Sequence, residues 1–321
     1  MTVLQVQNLK TYYTTRRGSV KAVDDVNFEV EKGEAVGLAG ESGCGKTTVA
    51  LSILKILPLG GRIIGGKILF RNLDITKLEE DQIRQSIRWK GISIVFQGAM
   101  NALNPVYKVS DQIIEAITTH ESNVTKEQAI ERIAKLFELV GIEPSRASNY
   151  PHEFSGGMRQ RAMIAMALAS NPELLIADEP GTALDVIVAA QVLKLLRELK
   201  SKLSLSMILI THDLSIIAEV CEKVAIMYAG KIVEHSDVVT VFKEPLHPYT
   251  QGLIGAFPSI KATRSRMISI PGSPPDLLNP PSGCRFHPRC QYAMDICRKK
   301  EPAFLDIGKD HHIACYLHMK A

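Results

Sequence analysis

The feature that most constrains this chain is a glycine-rich octapeptide between an apolar run and a helical pattern. It fits the pattern G-x-x-x-x-G-K-[ST] and reads Gly40-Glu41-Ser42-Gly43-Cys44-Gly45-Lys46-Thr47. The run before it predicts a strand over 35–39, and the pattern after it predicts a helix over 47–57. The glycines permit a tight turn whose N–H groups converge on phosphate oxygens, at the positive end of a helix. This octapeptide, the phosphate-binding loop, therefore predicts a nucleotide site in an α/β fold.

Composition narrows the class of protein further. The chain has 321 residues, of which 45% are hydrophobic and 22% charged, which is typical of a soluble globular protein. The formal net charge of +4 is too small to demand a nucleic-acid partner. The sequence contains no apolar run of about 18 residues and no signal-peptide pattern at its start. We therefore expect a cytosolic protein.

Short apolar runs alternate with helical patterns over most of the chain. Further strands are predicted over 92–96, 174–177, 207–211 and 224–227. Helices are predicted over 124–140, 158–170, 187–202 and 215–220. This alternation indicates a parallel sheet covered on both faces, with ligands bound beyond the carboxyl ends of the strands. Segments 3–9 and 20–30 alternate in polarity and suggest an antiparallel flap.

Two acids end the strand predicted over 174–177. Asp178 is suited to coordinating Mg²⁺, and Glu179 lies one step further out, where a base can polarise an attacking water. Lys46 can reach the β- and γ-phosphates of a nucleotide, and Thr47 can ligate Mg²⁺. An apolar strand that ends in acids is weak evidence alone, but with the phosphate-binding loop it indicates a nucleotide-hydrolysing site.

The C-terminal part of the chain has a different character. It holds four of the six cysteines, namely Cys284, Cys290, Cys297 and Cys315. Clustered cysteines in a cytosolic protein indicate a metal or redox site, either an iron–sulfur cluster or tetrahedral zinc. The spacing lacks the C-x2-C pairs of a zinc ribbon, free or disulfide-linked thiols remain an alternative, and nearby His287, His311 and His312 leave mixed ligation open. A bound metal would stabilise this proline-rich segment, which has only a small hydrophobic core of its own.

A second motif brings in a family resemblance. The segment Phe154-Ser155-Gly156-Gly157-Met158-Arg159-Gln160-Arg161 resembles the signature motif of ATP-binding cassette (ABC) ATPases. The order of the motifs also resembles that family. Gln97 resembles the Q-loop glutamine, residues 183–185 the D-loop, and His212 the switch histidine. Tyr13 lies where the family stacks an aromatic ring on adenine, with Tyr12 as the alternative.

The resemblance implies a role for each matched residue. Catalysis would be carried by Glu179, His212, Gln97 and Lys46. Mg²⁺ would be held by Thr47, Gln97 and Asp178. The nucleotide would contact Tyr13, the phosphate-binding loop from Gly40 to Thr47, Thr48, Gln97, Asp178, Ser155, Gly156, Gly157 and Asp185. In the resembled family the signature contacts ATP bound by another subunit, so a nucleotide-dependent dimer is expected.

The fold class implied is an ABC-type P-loop NTPase, with a parallel core sheet, an antiparallel β subdomain and a helical subdomain. We expect the nucleotide-binding domain over 1–256, with its helical subdomain at about 98–170, and a small Cys/Pro-rich module over 257–321. One further resemblance, to ATPase subunits of oligopeptide/dipeptide permeases, rests on segments 103–105, 154–161 and 245–250 and on the cysteine tail. In that family the tail binds a 4Fe–4S cluster.

The permease resemblance also implies partners. These are a second ATPase subunit, in a heterodimer or a homodimer, two membrane permease subunits and, indirectly, an external solute-binding protein. The chain would lie at the cytoplasmic face of the membrane and bind no nucleic acid. The imported solute, a peptide, an oligosaccharide or another compound, is not readable from this subunit.

Two alternative functions compete with this hypothesis. One is a soluble ABC ATPase of DNA repair or translation, although such proteins carry two cassettes or a long coiled-coil insertion. The other is an iron–sulfur redox regulator with a vestigial nucleotide site, which the presence of Lys46, Asp178, Glu179 and His212 disfavours. The chain departs from the resembled family at Gly181, where threonine is usual, and glycine would loosen a loop that couples two nucleotide sites.

Overall fold

The structure is a computed structural model that describes residues 1–98, 102–121, 123–256 and 270–319. Its strands, in chain order, are β1 Thr2–Thr15, β2 Gly18–Glu31, β3 Ala35–Ala39, β4 Gly61–Phe70, β5 Leu73–Asp74, β6 Ile92–Val95, β7 Leu174–Asp178, β8 Ser206–Thr211, β9 Lys223–Tyr228, β10 Lys231–Asp237, β11 Leu305–Asp306 and β12 His312–Ile313. Its α-helices are α1 Lys46–Ile53, α2 Glu80–Ser86, α3 Val109–His120, α4 Lys126–Leu139, α5 Gly156–Ala167, α6 Val186–Leu203, α7 Leu214–Val220, α8 Val238–Lys243, α9 Pro248–Gly255 and α10 Asp295–Lys299.

The chain divides into two units. The first contains Met1–Leu4, Val30–Ala35 and Lys77–Ile210. In it β6, β7 and β8 pair in parallel, with Ile94 opposite Ile176 and Ile176 opposite Ile208. The strand residues on this sheet are almost all buried, as expected of a parallel sheet with both faces covered. Helices α3, α4 and α5 pack on one another in this unit.

The second unit contains Gln5–Glu29, Val36–Thr76 and Thr211–Ala321. Strand β3 pairs with β9 in parallel, and β9 pairs with β10 antiparallel. A separate sheet has the order β2-β1-β4-β5, and β4 and β5 are antiparallel. The alternating early segments therefore form strands of a separate sheet, as the sequence pattern indicates.

Helix boundaries follow local chemistry. Thr125 and Gln128 form a capping box at the start of α4: the Thr125 hydroxyl accepts the Gln128 N–H at 3.3 Å, and the Gln128 side chain accepts the Thr125 N–H at 3.0 Å. The helix predicted over 47–57 is shorter, because it ends at Ile53 and Lys55 takes a left-handed φ of 50°. A side chain with a Cβ rarely adopts that conformation within a helix.

The described part of the C-terminal tail, 270–319, is mostly irregular, as its prolines predict, but it also contains strands that the sequence pattern does not reveal. Strand β12 pairs antiparallel with both β10 and β11. The tail is therefore hydrogen-bonded to the sheet of the second unit through β10. The remaining residues of the predicted module, 257–269 and 320–321, lie outside the described ranges, as do 99–101 and 122 of the predicted helical subdomain. Within the described residues, no helix combines the length and apolarity needed to cross a membrane.

Candidate active site

The phosphate-binding loop connects β3 to α1 in the second unit. Gly40 has a φ of 150° and Gly45 a φ of 110°, both in the region that favours glycine. A Cβ on Gly40 would lie 2.2 Å from the Met227 carbonyl oxygen, and one on Gly45 would lie 2.2 Å from that of Ala22. The loop therefore closes only because glycine stands at both positions. Helix α1 begins at Lys46, so its first N–H groups lack intrahelical partners and face an anion site.

Lys46 lies across this loop and is 5% exposed. Its ammonium donates to the carbonyl oxygens of Gly40 at 2.7 Å and Glu41 at 3.1 Å. The charge is thus held over the loop, where it can neutralise phosphate. Cys44 is buried, and burial raises the pKa of its thiol. Cys44 is therefore a small, protonated residue that packs within the loop.

The two tyrosines considered for adenine stacking have different surroundings. The Tyr12 hydroxyl donates to Asp24 Oδ1 at 2.8 Å, and burial together with Asp24 raises the pKa of Tyr12 to about 12. The Tyr13 hydroxyl lies 3.4 Å from that of Thr48. Because Thr48 belongs to α1, Tyr13 is the one whose hydroxyl contacts the helix that follows the phosphate-binding loop.

In the first unit, the predicted Q-loop residue and the predicted base meet. Gln97 Nε2 donates to Glu179 Oε2 at 2.9 Å. Thr182 Oγ1 donates to the same oxygen, also at 2.9 Å. Sequence reasoning missed Thr182, although its position three residues after Glu179 is a signal for such a contact. Asp178 is the last residue of β7 and is 1% exposed.

The signature segment forms the start of α5. Ser155 is the N-cap of this helix, and its hydroxyl accepts the Met158 N–H at 3.3 Å. Gly156 opens the helix, and a Cβ on Gly157 would lie 2.6 Å from Val188 Cγ1. Small residues thus leave the helix start accessible to an anion and close to α6.

The D-loop segment leads into α6. Asp185 is the N-cap of this helix and accepts the Val188 N–H at 2.9 Å. A Cβ on Gly181 would lie 3.2 Å from that of Ala189. A threonine there would require the first turns of α6 to shift by a few tenths of an ångström. Glycine stands at position 181, where threonine is usual in the resembled family, and at this position the loop lies close to α6.

His212 is an exposed residue that follows β8 and lies in the second unit. Thr211 Oγ1 accepts the Asp213 N–H at 3.0 Å, and Asp213 caps α7 through the Ser215 N–H at 2.8 Å. The backbone on the C-terminal side of His212 is thus fixed by hydrogen bonds. Its role as the switch histidine stays a prediction, as do the roles of the other site residues.

The four tail cysteines line one small cavity together with His247, Phe286 and Tyr316. All four are free thiols. Burial and the neighbouring cysteines raise the pKa of Cys284 and of Cys315 to about 11. Within the described ranges, no three His, Cys, Asp or Glu side chains form a group that could hold a metal ion. Cys221, the remaining cysteine outside the phosphate-binding loop, is buried at the end of α7.

Comparison with known proteins identifies the family. Residues 23–182 match the family described as "ABC transporter", and residues 233–297 match "Oligopeptide/dipeptide transporter, C-terminal region". The chain is 41% identical to the dipeptide transport ATP-binding protein DppD of Caldanaerobacter subterraneus subsp. tengcongensis, over 98% of this chain and 97% of that protein. It is 45% identical to the oligopeptide transport ATP-binding protein OppD of Bacillus subtilis, over 98% and 88%. The chain belongs to the ATP-binding proteins of the oligopeptide/dipeptide ABC transporter family.

Solved ABC structures share its fold. The ATP-binding cassette MJ0796, in a dimeric structure bound to ADP and Pi, matches 73% of this chain and 98% of its own, at 25% identity and a TM-score of 0.65. The cassette cbiO1 of Clostridium perfringens matches 76% and 91%, at 27% identity and a TM-score of 0.64. The predicted ABC ATPase fold, with parallel and antiparallel sheets, is confirmed.

Proposed function

We propose that this ABC ATP-binding protein hydrolyses ATP to drive the import of peptides. The observation that carries the proposal is similarity to peptide-transport ATP-binding proteins along nearly the whole chain. The family matches cover residues 23–182, which contain the phosphate-binding loop, and residues 233–297, which contain part of the tail. The similarity therefore extends beyond the motifs that all ABC cassettes share.

The chemistry would be carried by residues described above. The phosphate-binding loop and Lys46 hold the phosphates, and Glu179, oriented by Gln97 and Thr182, accepts a proton from the attacking water. Tyr13 stacks on the base, and His212 contacts the γ-phosphate. Thr47, Gln97 and Asp178 would hold Mg²⁺, which neutralises charge on the β- and γ-phosphates when bound.

The working unit in this proposal is a dimer of ATPase subunits. Ser155, Gly156 and Gly157 would contact ATP held by the partner subunit, and Asp185 would act at the same interface. The second ATPase subunit is either a different chain or a copy of this one. Two membrane permease subunits would receive the dimer at the cytoplasmic face of the membrane, and an external binding protein would deliver the peptide.

A soluble ABC ATPase of DNA repair or translation is disfavoured by the tail. Residues 233–297 match the C-terminal region of oligopeptide/dipeptide transporters. A redox regulator with a vestigial nucleotide site is disfavoured by the glycine geometry at Gly40 and Gly45, which keeps the phosphate-binding loop intact.

Affinity purification from membranes tests the transport assignment. The tagged full-length chain should co-purify with two hydrophobic permease subunits and a second ATPase subunit. Peptide-loaded binding protein should raise the ATPase rate of that complex. The transport role would be ruled out if the chain is recovered without membrane subunits and its ATPase rate does not change when the binding protein is added.

We further infer that the four tail cysteines form a C-terminal metal module that holds a 4Fe–4S cluster. The proposal is supported by the four thiols, which line one cavity. Cys284, Cys290 and Cys315 each receive an N–H hydrogen bond from the residue two positions later, namely Phe286, Tyr292 and Leu317. Burial raises the pKa of these three thiols, and the hydrogen bonds oppose that rise, toward the thiolate form that a metal requires.

Anaerobic purification tests the cluster. The wild-type chain should be brown and contain iron and inorganic sulfide in equal amounts, and Cys290→Ser should lose both. Cys221→Ser, which changes a buried cysteine outside this cavity, serves as the matched control and should keep both. Colourless protein with stoichiometric zinc would overturn the cluster assignment in favour of a zinc site.

A further inference from the structure

The C-terminal tail contacts the phosphate-binding loop directly. The Arg289 guanidinium binds the Glu41 carboxylate through two parallel hydrogen bonds, Nη1 to Oε2 at 2.6 Å and Nη2 to Oε1 at 3.0 Å. Paired N–H donors on one carboxylate give the strongest and most directional form of this ion pair. Because Glu41 is the second residue of the phosphate-binding loop, the pair joins residues 248 positions apart at the nucleotide site.

The Arg289 side chain is fixed from three directions. Its Nε donates to the Pro271 carbonyl at 2.7 Å. Its guanidinium carbon lies 5.6 Å from the centre of the Tyr228 ring. The side chain of Arg289 is 5% exposed and that of Glu41 is 28% exposed, so solvent screens the pair weakly. Hydrogen bonding to Glu41 raises the pKa of Arg289, so the guanidinium stays charged.

A second residue holds the backbone of Glu41. The Tyr249 hydroxyl accepts the Glu41 N–H at 2.9 Å. Tyr249 is fully buried, and its ring lies 4.6 Å from that of Tyr228 and 5.4 Å from that of Phe286. The position of the hydroxyl is therefore fixed by aromatic packing. Both the side chain and the N–H of Glu41 are bound by residues that follow β9.

The position of Glu41 matters for the rest of the loop. Its carbonyl accepts a hydrogen bond from Lys46, the residue that is predicted to reach the phosphates. A loop that spends part of its time in other conformations binds its ligand more weakly in proportion. We propose that Arg289 and Tyr249 are positioning residues for the phosphate-binding loop, acting through Glu41, so that the tail sets part of the affinity for nucleotide.

The tail also makes an ion pair away from the phosphate-binding loop. Lys223 Nζ contacts Asp310 Oδ2 at 2.7 Å, which links β9 to the loop before β12. Asp310→Asn weakens this second ion pair of the tail and leaves the ion pair between Arg289 and Glu41 unchanged. It is therefore the matched control for a purely structural effect of the tail.

Nucleotide binding by the full-length chain tests the proposal. Arg289→Gln and Tyr249→Phe should each bind Mg²⁺-free ATP about 5- to 30-fold more weakly in calorimetry. KM for ATP should rise with little change in kcat, because neither residue touches Glu179. Asp310→Asn should bind ATP like the wild type. Tyr249→Phe keeps the buried ring and should fold. Its ATP affinity therefore tests the proposal even if Arg289→Gln fails to fold.

A double-mutant cycle shows whether Arg289 acts through Glu41. In the Glu41→Gln background, Arg289→Gln should weaken ATP binding by far less than it does alone. Wild-type ATP affinity in both single variants, with only a lower melting temperature, would overturn the proposal. Additive losses in the cycle would also overturn it, because Arg289 would then act independently of Glu41.

Discussion

The geometry at Glu179 shows how single residues shape the site. Glu179 follows β7 with a left-handed φ of 46°, a conformation that side chains other than glycine adopt at some cost. Its Oε2 accepts hydrogen bonds from Gln97 and Thr182. The backbone and two donors therefore fix the orientation of the carboxylate, as a group that positions a water molecule requires.

Glu179→Gln should bind ATP like the wild type but hydrolyse it about 10²- to 10⁴-fold more slowly, because an amide cannot accept the proton. The same variant should accumulate as a nucleotide-bound dimer. Steady-state ATPase assays and size-exclusion chromatography with ATP measure both effects. Glu198→Gln, an exposed change on α6, is the control and should hydrolyse normally. Full activity in Glu179→Gln would mean that another group is the base.

Tyr13→Ala should weaken ATP binding by about 1–3 kcal/mol, or about 5- to 150-fold, because it removes the ring that we propose stacks on adenine. Tyr12→Phe should bind ATP normally, since it removes only the hydroxyl that donates to Asp24. Titration with ATP and with a nucleotide that lacks adenine separates stacking from folding effects. Equal losses for both nucleotides would exclude Tyr13 as the stacking residue.

At the scale of elements, β10 joins the tail to the sheet of the second unit. It pairs with β9 on one side and β12 on the other. The buried Glu234 in β10 accepts hydrogen bonds from the N–H groups of Leu246 and His247 and contacts His311 Nε2 at 2.8 Å. One strand therefore organises both the segment before α9 and the end of the tail.

Acid should destabilise this strand through His235. Burial and nearby Lys223, with His312 and His311, lower the pKa of His235 to about 4 despite the opposing charge of Asp310. In the unfolded chain His235 takes up a proton below its ordinary pKa of 6.5. In the folded chain it takes up that proton only at about pH 4. The free energy of unfolding should thus fall as the pH drops through this window, by up to about 1.4 kcal/mol per pH unit.

Urea unfolding between pH 7 and pH 4 measures this slope. His235→Gln should flatten it, whereas His152→Gln, which changes an exposed histidine on another segment, should leave it unchanged. An unaltered slope in His235→Gln would assign the acid sensitivity to other groups.

Local elements were the most predictable from sequence. The Thr125 cap and the strands on either side of Asp178 depend on neighbours within a few residues, so their patterns are complete in the sequence. The contact between Arg289 and Glu41 and the pairing of β12 with β10 depend on tertiary placement. Strand β12 has two residues, too few for any periodicity. The early end of α1 was missed because Lys55, not glycine, takes the left-handed conformation.

The whole molecule combines an ABC ATPase cassette with a tail that matches the C-terminal region of oligopeptide/dipeptide transporters. The phosphate-binding loop lies in the second unit, which also contains the tail cysteines. Arg289 immediately precedes Cys290, and its side chain reaches the phosphate-binding loop. The proposed energy-coupling role thus uses a cassette whose nucleotide loop and tail are in physical contact.

Peptide uptake into proteoliposomes tests whether this chain drives peptide import. The complete transporter, reconstituted with this chain and given peptide-loaded binding protein, should accumulate labelled peptide only when ATP is supplied on the side of the ATPase subunits. Glu179→Gln in this chain should reduce uptake sharply, and Glu198→Gln should not. Uptake without ATP, or equal uptake with wild-type chain and Glu179→Gln, would contradict the proposal that this chain drives peptide import.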